Sequence, residues 1–294
     1  MANYSIKDLE NFTGIKAHTI RIWEKRYNIV EPKRTCTNIR YYDDEDLKKL
    51  LNVSILNRNG LKISNIVGLT DETITEKILN LSQANNDVNS QIENLVLAMI
   101  DMDENKFDKV FNTAVINFGF EETMLRLVYP FFEKIGVLWQ IGTINPAQEH
   151  FISNLIRQKL IVAIDGIVSK VSEKSRSFLL FLPEGEFHEI GLIFYHYLIK
   201  KHNHKVIYLG ETVPFDALAE VSKIKKVDYL LTSILTPMPD DQLIEFLENV
   251  SESFGESQVY VSGVQVQDKN LIFGKNIHTL ASAMEFKSIL EVIS

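Results

Sequence analysis

The chain has 294 residues, 45% of them hydrophobic and 24% charged, and a formal net charge of −8. That composition belongs to a folded protein of two or three domains and excludes a disordered one. No run approaches the roughly 20 apolar residues of a membrane helix, the N-terminus MANYSIKDLENFTG has no apolar signal core, and Cys36, the single cysteine, can form neither an internal disulfide nor a thiolate cluster. A cytoplasmic protein without a membrane partner is expected, and Cys36 receives no role.

The net charge conceals a division. Residues 1–70 carry 12 Lys and Arg against 8 Asp and Glu, a net of +4, which leaves 19 against 31, or −12, for the remainder. A basic module on an acidic body is the asymmetry of a protein that meets a phosphate backbone at one end. In this module Ser5 caps a helix that turns Ile6, Leu9 and Phe12 inward, Thr13-Gly14 breaks it, and a second helix runs from about Lys16 to Tyr27. After Pro32 comes KRTCTNIRYY, basic and β-prone at its end, then an acidic DDED helix start. The third helix carries Leu47, Leu50, Leu51, Ile55 and Leu56 and stops at Gly60.

From about residue 75 to 172 apolar residues recur every three or four positions, in segments near 90–101, 105–118, 120–138 and 146–171, which predicts a four-helix bundle. The polar stretch 82–91 fits either a linker or a solvated helix start. From about Ser175 strands alternate with helices. SFLLFLP, KVIYLG, VDYLLTS and QVYVSG are the expected strands, with helices near 188–202, 214–225, 239–252 and 281–293. This alternation predicts a parallel sheet covered on both faces, with ligand chemistry at the carboxyl ends of its strands. The fold class is therefore multidomain: a helical helix-turn-helix module over 1–74, a helical bundle over 75–172 and an α/β Rossmann-like domain over 173–294.

KAHTIRIWEKRY suits a recognition helix. Ile20 and Trp23 are spaced to pack inward while His18, Thr19, Arg21, Lys25 and Arg26 point outward, and Lys33, Arg34 and Arg40 would lie on a wing that reaches phosphates or the minor groove. Tyr41 and Tyr42 would add hydroxyl donors there. The spacing alone fits a solvated basic helix equally well. YSIKDLENFTGIKAHTIRIWEKRY followed by TNIRYYDDEDLKKL resembles the DNA-binding domain of the MerR family over about 70 residues. The resemblance implies a dimer-forming winged helix-turn-helix on an inverted-repeat operator, with Thr19, Arg21, Lys25 and Arg26 in the major groove and Arg34, Arg40 and Tyr42 on the wing. Effector cysteines of metal-sensing members are missing, so thiolate metal sensing is not expected.

At the first strand-to-helix junction, PEGEFHEIG sets Glu186, His188 and Gly191 in the order Glu-x-His-x-x-G. A neutral imidazole at a strand's carboxyl end suits an axial cobalt ligand, a nearby carboxylate fixes its tautomer, and Gly191 lets a bulky ligand approach the helix. A lone loop histidine is more often a surface residue. Ser233-Ile234-Leu235 and Ser262-Gly263 end the third and fourth expected strands at the same sheet edge. Together these signals resemble the cobalamin-binding domain of methionine synthase and related proteins over residues 175–294. That likeness implies His188 as the cobalt ligand and Ser233, Leu235, Ser262 and Gly263 along the cleft for the nucleotide tail. Glu186 stands where Asp is commoner, a longer carboxylate expected to weaken the relay to the imidazole, and Ser262-Gly263 replaces a Gly-Gly pair. His196, His202, His204 and His278 show no partner pattern and are expected at the surface.

In the bundle, GVLWQIGTINPAQEHFISN places Trp139 ten residues before Glu149-His150. This resembles the Trp-x9-Glu-His cap of light-dependent CarH-type repressors, which implies that Trp139, Glu149 and His150 cover the upper corrin face and shelter an adenosyl group. Where members that trap cobalt between two histidines carry a His after the Trp, this chain has Gln140. The expected function is an adenosylcobalamin-dependent, light-responsive DNA-binding repressor, not an enzyme, that binds double-stranded operator DNA as a dimer or cofactor-dependent tetramer. A cobalamin sensor without a light response, a corrinoid methyl carrier and a regulator whose corrinoid site is unused are the alternatives.

Overall fold

The computed structural model describes residues 4–35, 38–70, 73–74, 77–78, 88–140, 145–267 and 273–293, the side chains of 137–140 excepted. Cys36 and residues 82–87 lie outside the described residues. Contacts divide the chain into two units, Met1–Leu155 and Ile156–Ser294.

In the first unit, α1 (Ile6–Thr13) begins with a capping box between Ser5 and Asp8 and ends at Gly14, whose φ of 70° is the left-handed turn that lets the chain reverse. The N-terminus of α2 (Ala17–Tyr27) has no cap from its own Lys16; instead Glu10 of α1 accepts from Ala17 N at 3.0 Å and from Lys16 Nζ at 2.9 Å. The turn between the two helices is thus fixed by side chains as well as by glycine. A hairpin of β1 (Lys33–Arg34) and β2 (Arg40–Tyr41) follows, and α3 (Asp44–Arg58) starts on a second capping box, between Asp43 and Asp46. Leu9, Phe12, Ile20, Leu47, Leu50 and Leu51 are buried. A short α4 (Ile63–Ile66) has no counterpart in the sequence reading.

The bundle contains α5 (Val88–Asp101), α6 (Glu104–Phe118), α7 (Phe120–Thr123), a π-helical turn over Met124–Val128, α8 (Tyr129–Gln140) and α9 (Pro146–Asp165). The last helix stops at Asp165, short of the expected 171. The chain leaves the helix at Gly166, and Val168 is exposed, so the apolar residues that extended the periodic pattern belong to an irregular segment. The module and the bundle meet through α3 and α5, which run antiparallel. Lys48 pairs with Asp101 at 2.5 Å near one end and Arg58 pairs with Glu93 near the other.

The second unit is built on a five-stranded sheet, all parallel, in the order β4-β3-β5-β6-β7. Its strands are β3 (Ser177–Pro183), β4 (Lys205–Val213), β5 (Tyr229–Ser233), β6 (Gln258–Ser262) and β7 (Ile277–Thr279). The helices are α10 (Ile190–Lys201), α11 (Phe215–Ile224), α12 (Asp240–Phe254) and α13 (Ala283–Ile293). β7 was not anticipated: three residues are too few to show an alternation. One face of the sheet packs Leu179, Phe181, Leu230 and Val259 against Leu218 and Leu243 of α11 and α12. The other carries an aromatic cluster in which Phe286 of α13 meets Phe178, Tyr195 and Tyr260 edge-on. Strand order reverses direction at β3, from β4 on one side to β5 on the other. That reversal opens a crevice beyond the carboxyl ends of β3 and β5, the usual ligand position in such sheets. Among the described residues no helix is long and apolar enough to cross a membrane.

Candidate functional site

The first site lies on α2 and the hairpin. Four of the expected contact residues, His18, Arg21, Lys25 and Arg26, are exposed along α2, with Thr19 half-buried beside them; Ile20 is fully buried and Trp23 half-buried behind. Lys25 and Arg26 also occupy the last turn, where the helix dipole favours cations. Arg21, Lys25 and Arg40 line a groove of about 520 Å³ with Glu24, Asn28 and Pro32. Arg34 donates to Asn38 Oδ1 at 2.7 Å, which holds the wing tip, and Arg40 stands 3.8 Å from Glu24. Tyr42 is a correction. Adjacent residues of a strand face opposite sides, and it is Tyr42 that turns inward: it is fully buried, its backbone bridges to Tyr4, and its hydroxyl donates to Glu24 at 3.2 Å. It supports the wing from beneath and does not reach outward.

The second site sits at the crevice of the sheet. His188 lies in the short loop between β3 and α10, its side chain 62% exposed, while Glu186 two residues earlier is buried. Glu186 Oε1 accepts from His188 Nδ1 at 2.5 Å and from His188 N at 3.0 Å. Its Oε2 accepts from Leu235 N and Thr236 N, both at 2.7 Å, so one carboxylate bridges the loops after β3 and β5. Burial pushes this carboxyl up, but the hydrogen bonds from His188, Thr236 and Leu235 outweigh it and hold it down at about 2. The charged carboxylate keeps the imidazole proton on Nδ1 and directs the Nε2 lone pair to the far end of the ring. The longer Glu side chain does not weaken this contact; its extra methylene lets the second oxygen reach Leu235 and Thr236.

Gly191 falls in the first turn of α10. Ser233 and Ser262 are buried, paired in register at the ends of β5 and β6, and Ser262 shares hydrogen bonds with Thr232 O at 3.4 Å and with Tyr195. Gly263 has φ 106°, and a Cβ there would stand 2.2 Å from Ile234 O, so only glycine allows the two loops to approach. Phe187, Leu235 and Val264 project apolar surface from the loops after β3, β5 and β6. An imidazole with an anchored Nδ1, apolar side chains on the loops around it and a strand end narrowed to glycine fit a flat corrin with a nitrogen ligand below the metal.

On α9, Glu149 accepts from Ser153 Oγ at 2.5 Å and stands 3.2 Å from His150 Nδ1, with His150 exposed. Trp139 and Gln140 belong to α8, and their side chains lie outside the described residues. The expectation of surface histidines fails at His204, while His196, His202 and His278 are half-buried. His204 is buried against Phe178 and accepts from Arg176 N at 3.2 Å, the His196 ring stacks 5.3 Å from that of Tyr208, and His278 is hydrogen-bonded to Gln258 at 2.7 Å. The sequence reading also missed Thr236, Tyr195, Glu189, Tyr208 and Arg157. Only Glu189 left a signal, as the second carboxylate flanking His188 in EFHE.

Residues 4–73 match the family described as MerR HTH family regulatory protein, and residues 91–163, which cover α5 to α9, match the B12 binding domain. The chain is 24% identical over 245 residues to the HTH-type transcriptional repressor CarH of Myxococcus xanthus, covering 81% of each. It is likewise 24% identical over 265 residues to the repressor CarA of the same organism, covering 90% of this chain and 87% of that one. Among solved structures, the monomethylamine corrinoid protein of Methanosarcina barkeri superimposes with a TM-score of 0.56 at 18% identity, over 67% of this chain and 96% of that one, a likeness of fold.

Proposed function

Proceeding from a chain that is a MerR-family transcriptional regulator with a cobalamin-binding domain, we propose that it is a repressor that holds adenosylcobalamin through His188 and releases its operator in the light. The observation that carries the reading is the Glu186–His188 pair at the crevice of the sheet, on the same chain as a DNA-reading helix. His188 is the cobalt ligand and Glu186 fixes its tautomer. Gly191, Ser233, Leu235, Ser262 and Gly263 border the cleft for the nucleotide tail, and Trp139, Glu149 and His150 cover the upper face. Thr19, Arg21, Lys25 and Arg26 face the major groove with His18 on the same outward side, and Arg34 and Arg40 lie on the wing that reaches phosphates or the minor groove. The working division is 1–74 for DNA, 75–172 for the cap and 173–294 for the corrinoid.

When bound, adenosylcobalamin supplies a cobalt–carbon bond that light can break. Contacts of Trp139 and Glu149 with the adenosyl group exist in only one of the two states, and a ligand moves an equilibrium only through such unequal affinity. The dark form is a cofactor-dependent tetramer and the lit form a smaller species. The test is a gel shift on DNA selected by the purified protein, with adenosylcobalamin, in darkness and after green light. Retarded DNA in the dark and free DNA after illumination is the expected result; identical retardation in both defeats the switch.

Gln140 favours a second reading, in which the form or amount of cobalamin is the signal. A carboxamide is a poor cobalt ligand beside an imidazole, so a photoproduct held by two histidines is not expected. Oligomeric state in darkness with methyl-, adenosyl- and hydroxocobalamin separates the readings: dependence on the upper ligand without dependence on light supports the second.

A further inference from the structure

Glu186 anchors the His188 loop on one side only. Its oxygens reach the His188 ring and backbone N–H and the residues after β5, and none of these contacts is to α10 itself. Glu189, the residue after His188, occupies the N-cap position of α10, yet its carboxylate makes no cap hydrogen bond. It turns sideways instead. Glu189 Oε2 accepts from the Tyr208 hydroxyl at 3.0 Å, and Oε1 takes an ion pair with the Arg157 guanidinium of α9. Tyr208 stands on β4 just before the point where the β3–β4 register slips, Leu180 pairing with Tyr208 and Phe181 with Gly210. Such a bulge re-aims a side chain. On the far side the Tyr208 ring is stacked against His196 of α10, so the phenol is held between the helix it helps to place and its own strand.

We propose that Glu189, Tyr208 and Arg157 form a positioning network for His188, a second clamp that fixes the end of the loop Glu186 does not reach. The inference rests on the reading of His188 as a cobalt ligand. Glu186 sets which nitrogen carries the proton and holds the ring at Nδ1; the Glu189 network holds the backbone on the other side of His188, where the loop enters α10. Arg157 adds a link along the chain. It lies on the helix that carries Glu149 and Ser153, two turns beyond the first at i+8 and one turn beyond the second at i+4.

The experiment uses the full chain loaded with cobalamin and reduced to the cob(II) state. With the protein's histidines labelled with nitrogen-15, the cobalt lines of its paramagnetic resonance spectrum split in two for a protein imidazole and in three for the corrinoid's own nitrogen-14 base, so they report the share of protein with imidazole on the metal, and corrinoid release is timed by gel filtration. Glu189→Gln and Tyr208→Phe remove the charge and the hydroxyl with little change of volume; Arg157→Ala, at a half-exposed position, leaves the sheet core untouched. The expected result is a lower imidazole-bound share and release about tenfold faster in Glu189→Gln, the size usual for residues behind a metal ligand, with smaller losses in the other two and partial recovery in Glu189→Asp. Spectra and release rates equal to wild type in both Glu189→Gln and Tyr208→Phe overturn the network. His188→Ala is the separate control: if it keeps the twofold nitrogen-15 splitting, the ligand assignment falls and the network with it.

Discussion

Two carboxylates in this chain are almost equally buried and titrate in opposite directions. Glu93 of α5 is 1% exposed and Glu186 after β3 is 2% exposed. Burial pushes both upward. At Glu93 burial wins over Arg58, Lys134 and Ser54 and leaves the carboxyl at about 7; at Glu186 the hydrogen bonds win and leave it at about 2. Glu93 lies deeper among surrounding atoms, so burial raises it more, and the donors widen the difference. Glu186 receives three backbone N–H groups and a ring N–H, shared between both oxygens. Glu93 has the Arg58 guanidinium, a Ser54 hydroxyl at 3.4 Å that also donates to Thr13 O at 2.7 Å, and Lys134, whose own pKa burial lowers. Backbone donors that are fixed before the charge arrives offset desolvation more fully than mobile cations do. The joint between α3 and α5 therefore holds a carboxyl that burial pushes up to about 7, while the partner of the imidazole is held down at about 2.

The hardest test of the contrast removes the Glu186 donors without touching Glu186. Gly263→Ala puts a methyl against the Ile234 backbone at φ 106°, which must displace the Leu235 and Thr236 amides from the carboxylate. The expected cost is about 3 kcal/mol or more, read from the urea midpoint of the second unit's transition. A midpoint equal to wild type would mean that the loop yields and the donors are not fixed.

Acid and base should next act oppositely on the two regions. Glu186 has a folded pKa below its ordinary value of 4.5, so its contribution is present above pH 4.5 and is lost as pH falls from there toward 2. Glu93 has a folded pKa above 4.5, so its contribution is complete below pH 4.5 and is lost as pH rises through about 7. Each is worth at most roughly 3 kcal/mol. Stability measured from pH 3 to 8 should lose its acid slope in Glu186→Gln and its neutral slope in Glu93→Gln. The same slope in both variants would show that burial alone governs the two groups.

The sequence showed one of these carboxylates and hid the other. Glu186 stands in Glu-x-His-x-x-G, a local pattern at the end of an apolar run that the structure confirms as β3 over Ser177–Pro183. Its second function, bridging to Leu235 and Thr236 about fifty positions away, leaves no local trace. Glu93 sits in SQIENLVLAMI, where every third or fourth apolar residue suggests a helix with Glu93 among its ordinary polar positions. That α3 would cover this residue is a tertiary fact. Tyr42 fails in a different way, since two adjacent tyrosines in a strand cannot both face out and nothing local says which one turns in. His204, taken as a surface residue, was misread because its cover is tertiary: it is buried by Phe178, a partner twenty-six positions earlier.

Arg58→Ala should cost less than Gly263→Ala or Glu186→Gln. It removes the closest cation from Glu93, but a carboxyl already near 7 escapes by taking a proton, so the loss is limited to about 1–2 kcal/mol and Glu93 titrates higher still. The smallest effect belongs to the other end of the same joint. Lys48 pairs with Asp101 at 2.5 Å and with Glu45 at 2.9 Å, but its side chain and that of Asp101 are 24% and 33% exposed. Water screens such a pair, and Lys48→Ala should cost about 0.5 kcal/mol, falling further in 0.5 M salt. Thermal melts of the two single variants and the double variant, at low and high salt, measure both. If Lys48→Ala cost as much as Arg58→Ala and kept its cost in salt, the joint would be held by its rim, and the buried carboxylate would not be the group that fixes α3 on α5.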